Sequence, residues 1–187
     1  EYAQRRDKMI TELNSSEGSI FLCPSRDGLS DGETFRQLDD FNYFTGLEFP
    51  NSMLVIDAYN KKNILFAPLN DFRFEAPSRR NDFPGRPLGD DVELKNKSGI
   101  SDIRPFEELD EFIKKNVNAN KSFKVNYGGH MSGELVEVNT SYISSLSTEQ
   151  LLVYHLQQTF PTIQIESAYK AVGNLRMIKS PLEIAAL

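Results

Sequence analysis

The chain has 187 residues, enough for one domain with a sizeable core, or that domain and a short extension, and too few for two full domains. A hydrophobic fraction of 39% and a charged fraction of 26% read as soluble and globular, and no apolar run reaches the roughly 18 residues of a membrane span, which excludes a membrane protein. With 27 acidic against 21 basic residues the formal net charge is −6, the opposite of the balance that phosphate-backbone binding needs, so no nucleic-acid partner is expected.

In chain order, Tyr2, Met9, Ile10 and Leu13 recur at helical spacing until NSSEG breaks the pattern, which predicts an opening amphipathic helix. Residues 19–23 (SIFLC) form a short apolar strand ended by Pro24. The single cysteine, Cys23, lies in that run and reads as a buried strand residue; with no partner it makes no internal disulfide and demands no oxidising compartment. The charged N-terminus EYAQRRDKMITELN shows no signal-peptide pattern, and with the lone cysteine this leans to a cytoplasmic location. Asn-x-Ser/Thr triplets at Asn14, Asn96, Asn120 and Asn139 are expected by chance in a chain this rich in Asn, Lys and Ser.

DDFNYFTGLEFP, residues 39–50, interleaves aromatics with acids; Phe41, Tyr43 and Phe44 are expected to pack a connector onto a sheet. Residues 51–57 (NSMLVID) and 63–67 (NILFA), joined by AYNKKN, predict a β-hairpin. From 70 to 99 the chain is rich in Pro, Gly and charge with no lasting period, a loop long enough to be functional, partly helical or an oligomer contact. Residues 105–116 (PFEELDEFIKKN) predict a helix begun by Pro105, with acids early and two lysines late. Residues 121–127 predict a strand stopped by Gly128 and Gly129, residues 147–158 a helix with a Ser-x-x-Gln capping box, and residues 162–166 a final strand. In RMIKSPLEIAAL, Ser180 is an N-cap, Pro181 the first helical residue and Glu183 the partner that bonds back to the cap. Strands alternating with helices after a hairpin give an α/β class, a mixed sheet flanked by helices.

Residues able to do chemistry are sparse. His130 follows a Gly-Gly turn and His155 sits beside Tyr154 in a helix, and neither has the His or Cys neighbours of a zinc site. The doublets Asp39-Asp40, Asp90-Asp91 and Glu107-Glu108 diverge on either kind of element and supply no paired acid and base. A nuclease of the ribonuclease-H type would need acids clustered on a strand edge to hold Mg²⁺, and no such constellation is defined. There is no Gly-x-Ser-x-Gly elbow, P-loop or Gly-x-Gly-x-x-Gly. No catalytic residue and no metal ligand is assigned.

Three separated stretches nevertheless converge. The opening RR-x-K-M helix with its strand, DDFNYFTGLEFPNSMLVID, and LRMIKSPLEIAAL resemble, in order and spacing, the N-terminal domain of Xaa-Pro aminopeptidases (aminopeptidase P) in the prolidase and creatinase family, and GRPLG at 85–89 is similar to a further family segment. The resemblance implies the creatinase/prolidase N-terminal fold, a ribonuclease-H-like motif, over residues 1–175, with 176–187 as linker and first turns of a "pita-bread" catalytic domain. It implies a parent that hydrolyses the N-terminal Xaa-Pro peptide bond with two divalent metal ions, often Mn²⁺, held by two aspartates, one histidine and two glutamates of that later domain; none of these ligands falls in this chain, which by itself is expected to be inactive. It implies as partners the parent's own C-terminal catalytic domain, further copies of the chain in a homo-oligomer, and the peptide substrate. Within this chain it points to a substrate-pocket wall with Asp40 and Tyr43, and with Phe83 and Arg86 around the GRPLG segment, where the family commonly carries a tryptophan that this chain lacks altogether. The neighbouring readings are a prolidase, which takes dipeptides, and a catalytically dead peptide- or histone-binding module of the same build.

Overall fold

The computed structural model describes residues 1–14, 18–27, 35–48, 50–68, 92–128 and 146–185. Helix α1 (Tyr2–Asn14) leads into β1 (Ile20–Pro24), then α2 (Asp39–Thr45), β2 (Met53–Asp57) and β3 (Lys62–Ala67). Next come α3 (Val92–Ser98), β4 (Asp102–Pro105), a short 3₁₀ turn (Phe106–Glu108), α4 (Leu109–Asn118) and β5 (Ser122–Val125). The order closes with α5 (Thr148–Thr159), β6 (Gln164–Ser167), α6 (Tyr169–Met177) and α7 (Pro181–Ala185).

Among the described residues the strands form one six-stranded sheet in the order β4-β3-β2-β1-β5-β6. It is mixed: β1, β2 and β3 are antiparallel neighbours, whereas β3–β4, β1–β5 and β5–β6 are parallel pairs. The central strands read as unbroken apolar runs because both of their faces are covered. Along β1, Phe21 and Cys23 face one core while Ile20 and Leu22 face the other. The first core takes Met9, Ile10 and Leu13 of α1, Phe41 and Phe44 of α2 and Val172 of α6. The second takes Leu109, Ile113 and Val117 of α4 and Val153 and Leu156 of α5. A one-residue slip in register would exchange the two sets, so the pattern specifies the pairing strongly.

The hairpin lies where the sequence puts it, its turn held by Asp57, whose carboxylate accepts from the Asn60 N–H at 3.1 Å and the Asn60 side-chain amide at 2.6 Å. Both expected capping boxes are present: Ser147 with Gln150, and Ser180 with Glu183. Three elements differ from expectation. The connector at 39–45 is a helix, with Asp39 and Asp40 in its first turn and Gly46 closing it at φ 68°. Pro105 ends a strand rather than starting a helix, because residues 102–105 pair with β3 at the sheet edge, where proline's missing N–H is tolerated. The 70–99 loop does carry helix, one of the outcomes expected of it, at α3. Residues 169–177, read as no element, form α6, which packs Val172 into the first core.

Candidate functional site

Strands β1 and β5 are parallel neighbours, and just beyond their carboxyl ends lies an open cleft of about 430 Å³ lined by Arg26, Gln37, Asp39, Asn126, Glu149 and Arg176, with Asp40 in its wall. In open α/β sheets, the crevice beyond the carboxyl ends of parallel strands is where ligands are usually bound. The N-terminal turn of α2 supplies Asp39 and Asp40, and that of α5 supplies Glu149. Asp40 accepts from Arg176 Nη1 at 2.7 Å and from the side-chain amide of Asn126, and Asp39 lies 3.6 Å from Arg176. Gln37, just before α2, is buried, and its Oε1 accepts from the backbone N–H groups of Arg26 and Leu38, both at 2.8 Å, which ties the strand β1 exit to the helix start.

Tyr43 stands one turn along α2 from Asp40. Its hydroxyl donates to the Leu175 carbonyl at 3.1 Å, and the Arg5 guanidinium covers its ring at 4.2 Å from the centroid. Burial pushes the Tyr43 phenol up from its ordinary value, so it stays a neutral donor. Arg5 also donates to the Tyr43 carbonyl at 2.8 Å and lies 3.3 Å from Glu183 of α7, while the Ser180 hydroxyl donates to Glu1 at 2.8 Å. The first and last described helices are thus joined through one arginine.

The bond from the Ser180 N–H, at 2.8 Å, holds the Glu183 carboxyl below its usual value of 4.5, with Arg5 adding to the effect. Because the folded value is the lower one, this contribution to α7 is complete above the usual carboxylate range and is lost as pH falls through the folded value. On acid titration followed by nuclear magnetic resonance, the Ser180 amide is expected to lose protection before the amides of β1 and β2 do; simultaneous loss would show that α7 does not depend on this carboxylate.

Of the residues expected in a pocket, Asp40 and Tyr43 stand side by side on α2, and Phe83 and Arg86 lie outside the described residues, as does His130. His155 is exposed on α5 against Tyr154. Cys23 is buried, and burial raises its thiol well above the ordinary value, so it stays protonated and unreactive. Sequence reasoning did not assign Arg176, Asn126 or Arg5 to the site. Both arginines stand in quoted motifs, but nothing local says that Arg176 meets Asp40 or that Arg5 meets Tyr43 and Glu183.

No group of three or more His, Cys, Asp or Glu among the described residues is placed to hold a metal ion, and the cleft's aspartates are matched to Arg176. The described residues of the cleft do not fit a metal centre.

Residues 2–125 match the family model for the aminopeptidase P N-terminal domain. The chain belongs to that family. It is 30% identical, over its whole length, to the Xaa-Pro aminopeptidase of Escherichia coli, and spans 40% of that relative's length. Among solved structures it shares its fold with a Bacillus anthracis protein assigned to aminopeptidase P (TM-score 0.72, 17% identity, 98% of this chain and 41% of that one). It also shares its fold with zinc-substituted E. coli aminopeptidase P in complex with product (TM-score 0.60, 20% identity, 99% of this chain and 40% of that one). The family's N-terminal domain is therefore the mixed, helix-flanked sheet described above.

Proposed function

We propose that these residues are the non-catalytic N-terminal domain of a dinuclear-metal Xaa-Pro aminopeptidase, supplying part of the substrate-pocket wall and taking part in subunit contacts. Residues 1–175 form the domain, and 176–187 lead into the catalytic portion, where two divalent ions, with Mn²⁺ the expected pair, carry out hydrolysis of the Xaa-Pro bond. The reading rests chiefly on the whole-length match to an Xaa-Pro aminopeptidase of which this chain spans 40%. The cleft beside α2 supports it, because Asp40 stands in its wall, with Tyr43 one turn along the same helix, and Asp39, Glu149 and Arg176 there offer a peptide backbone and its terminal amine both acceptors and a donor.

The 187-residue chain is expected to release no amino acid from Xaa-Pro peptides in the presence of Mn²⁺. Hydrolysis above a buffer blank would overturn its non-catalytic assignment. The coding sequence immediately after residue 187 supplies the second test. Two aspartates, one histidine and two glutamates placed there as metal ligands support an enzyme parent; their absence replaces the enzyme with a binding module.

A further inference from the structure

Asp40 has partners from two other elements. Its Oδ1 accepts from Arg176 on α6 at 2.7 Å, and its Oδ2 accepts from the amide of Asn126, the residue after β5. The Asp40 side chain is 12% exposed against 66% for Asp39. A carboxylate with both oxygens engaged by donors, one of them a guanidinium, and with little access to water has little capacity left for a ligand. The neighbouring contacts run the same way: Tyr43 donates to the carbonyl of Leu175, directly before Arg176, and the Arg176 guanidinium carbon lies 5.9 Å from the Tyr43 ring centroid.

We propose that Asp40 is a positioning residue: with Arg176 it forms a clamp that fixes α6, and the corner between α6 and α7, to the start of α2 and to the carboxyl end of β5. Within the cleft, the charged groups left to meet a ligand are then Asp39, Glu149, Arg26 and the outer edge of the Arg176 guanidinium, not the Asp40 carboxylate. The clamp closes a loop between residues 136 positions apart in sequence. It makes the orientation of the chain's last described helices depend on an acid in the first third of the sequence.

The inference concerns the chain without substrate or metal, so its failure and that of the pocket-wall reading are separable. Hydrogen–deuterium exchange is compared for the unaltered chain, Asp40→Ala, Arg176→Ala and the double variant. In either single variant the amides of residues 169–177 are expected to lose about tenfold in protection, and in the double variant no more than that, because both changes remove one shared interaction. Asp40→Glu is expected to restore part of the loss, and β1 and β2 amides to keep their protection throughout. Additive losses, or single variants that leave residues 169–177 as protected as before, overturn the clamp. Should Asp40→Ala fail to fold, Arg176→Ala against Arg176→Lys carries the same test. The lysine ammonium still reaches one carboxylate oxygen and is expected to keep most of the protection, and an alanine variant indistinguishable from the unaltered chain overturns the clamp.

Discussion

Replacing Arg6 by alanine is expected to lower the stability of the folded chain by about 4 kcal/mol, measured by urea unfolding. Arg6 is 1% exposed, yet its guanidinium ends on two helix termini: Nη1 donates to the Phe44 carbonyl at 2.7 Å, near the end of α2, and Nη2 to the Ser98 carbonyl at 2.8 Å, at the end of α3. Carbonyls in the last turn of a helix have no partner within it and carry the negative end of its dipole, so one buried cation serves both. Burial lowers the Arg6 pKa to about 10, so it is still charged at neutral pH. Charge-assisted hydrogen bonds contribute about 1.5–3 kcal/mol each, and alanine also leaves two carbonyls without donors around an emptied space. Arg6→Met, which keeps the apolar stem and loses both bonds, is expected to recover about 1 kcal/mol of the loss. Equal loss in the two variants would assign the whole effect to the hydrogen bonds; a methionine variant as stable as the original would show that the bonds contribute nothing net.

The second large effect is expected at Gly46. Its φ of 68° is a left-handed conformation that costs a side-chain-bearing residue about 1–2 kcal/mol, and a Cβ built there would lie 2.3 Å from Cζ of the Tyr2 ring. Gly46→Ala is therefore expected to cost about 3 kcal/mol, part from backbone strain and part from expelling Tyr2. The two parts separate in a cycle. Against a Tyr2→Ala background the same glycine change is expected to cost only the backbone share, about 1–2 kcal/mol. An undiminished cost in that background would mean that the tyrosine yields freely. The glycine in Tyr-Phe-Thr-Gly is thus required twice, once to end α2 and once to let α1 lie across its end.

How far the sequence discloses these features depends on the range of the physics involved. The runs IFLC, MLVI and ILFA are legible because β1, β2 and β3 bury both faces, so every residue in them is apolar. Helices α5 and α7 announce their starts by caps that act over three residues. Helix α2 is illegible as a helix because seven residues span about two turns, too few for aromatics at 41, 43 and 44 to establish a period. Strand β4 is short and half-buried at an edge, and its proline reads as easily as a helix start.

The site divides along the same line. Asp40 and Tyr43 were nameable because the family's motif contains them, but Asn126 and Arg176, which engage Asp40, stand 86 and 136 residues away. Arg6 reads only as part of the RR-x-K-M motif until α1 is laid across the ends of α2 and α3. The sequence by itself determined the apolar strands, the hairpin, the caps and the family, all of which follow from energies set by neighbours a few residues apart or from a motif in order. Only the tertiary structure decided which charges meet, because that depends on β5 lying beside β1 and on three helices sharing one face of the sheet. No local pattern encodes that adjacency; it follows from the packing of the whole sheet.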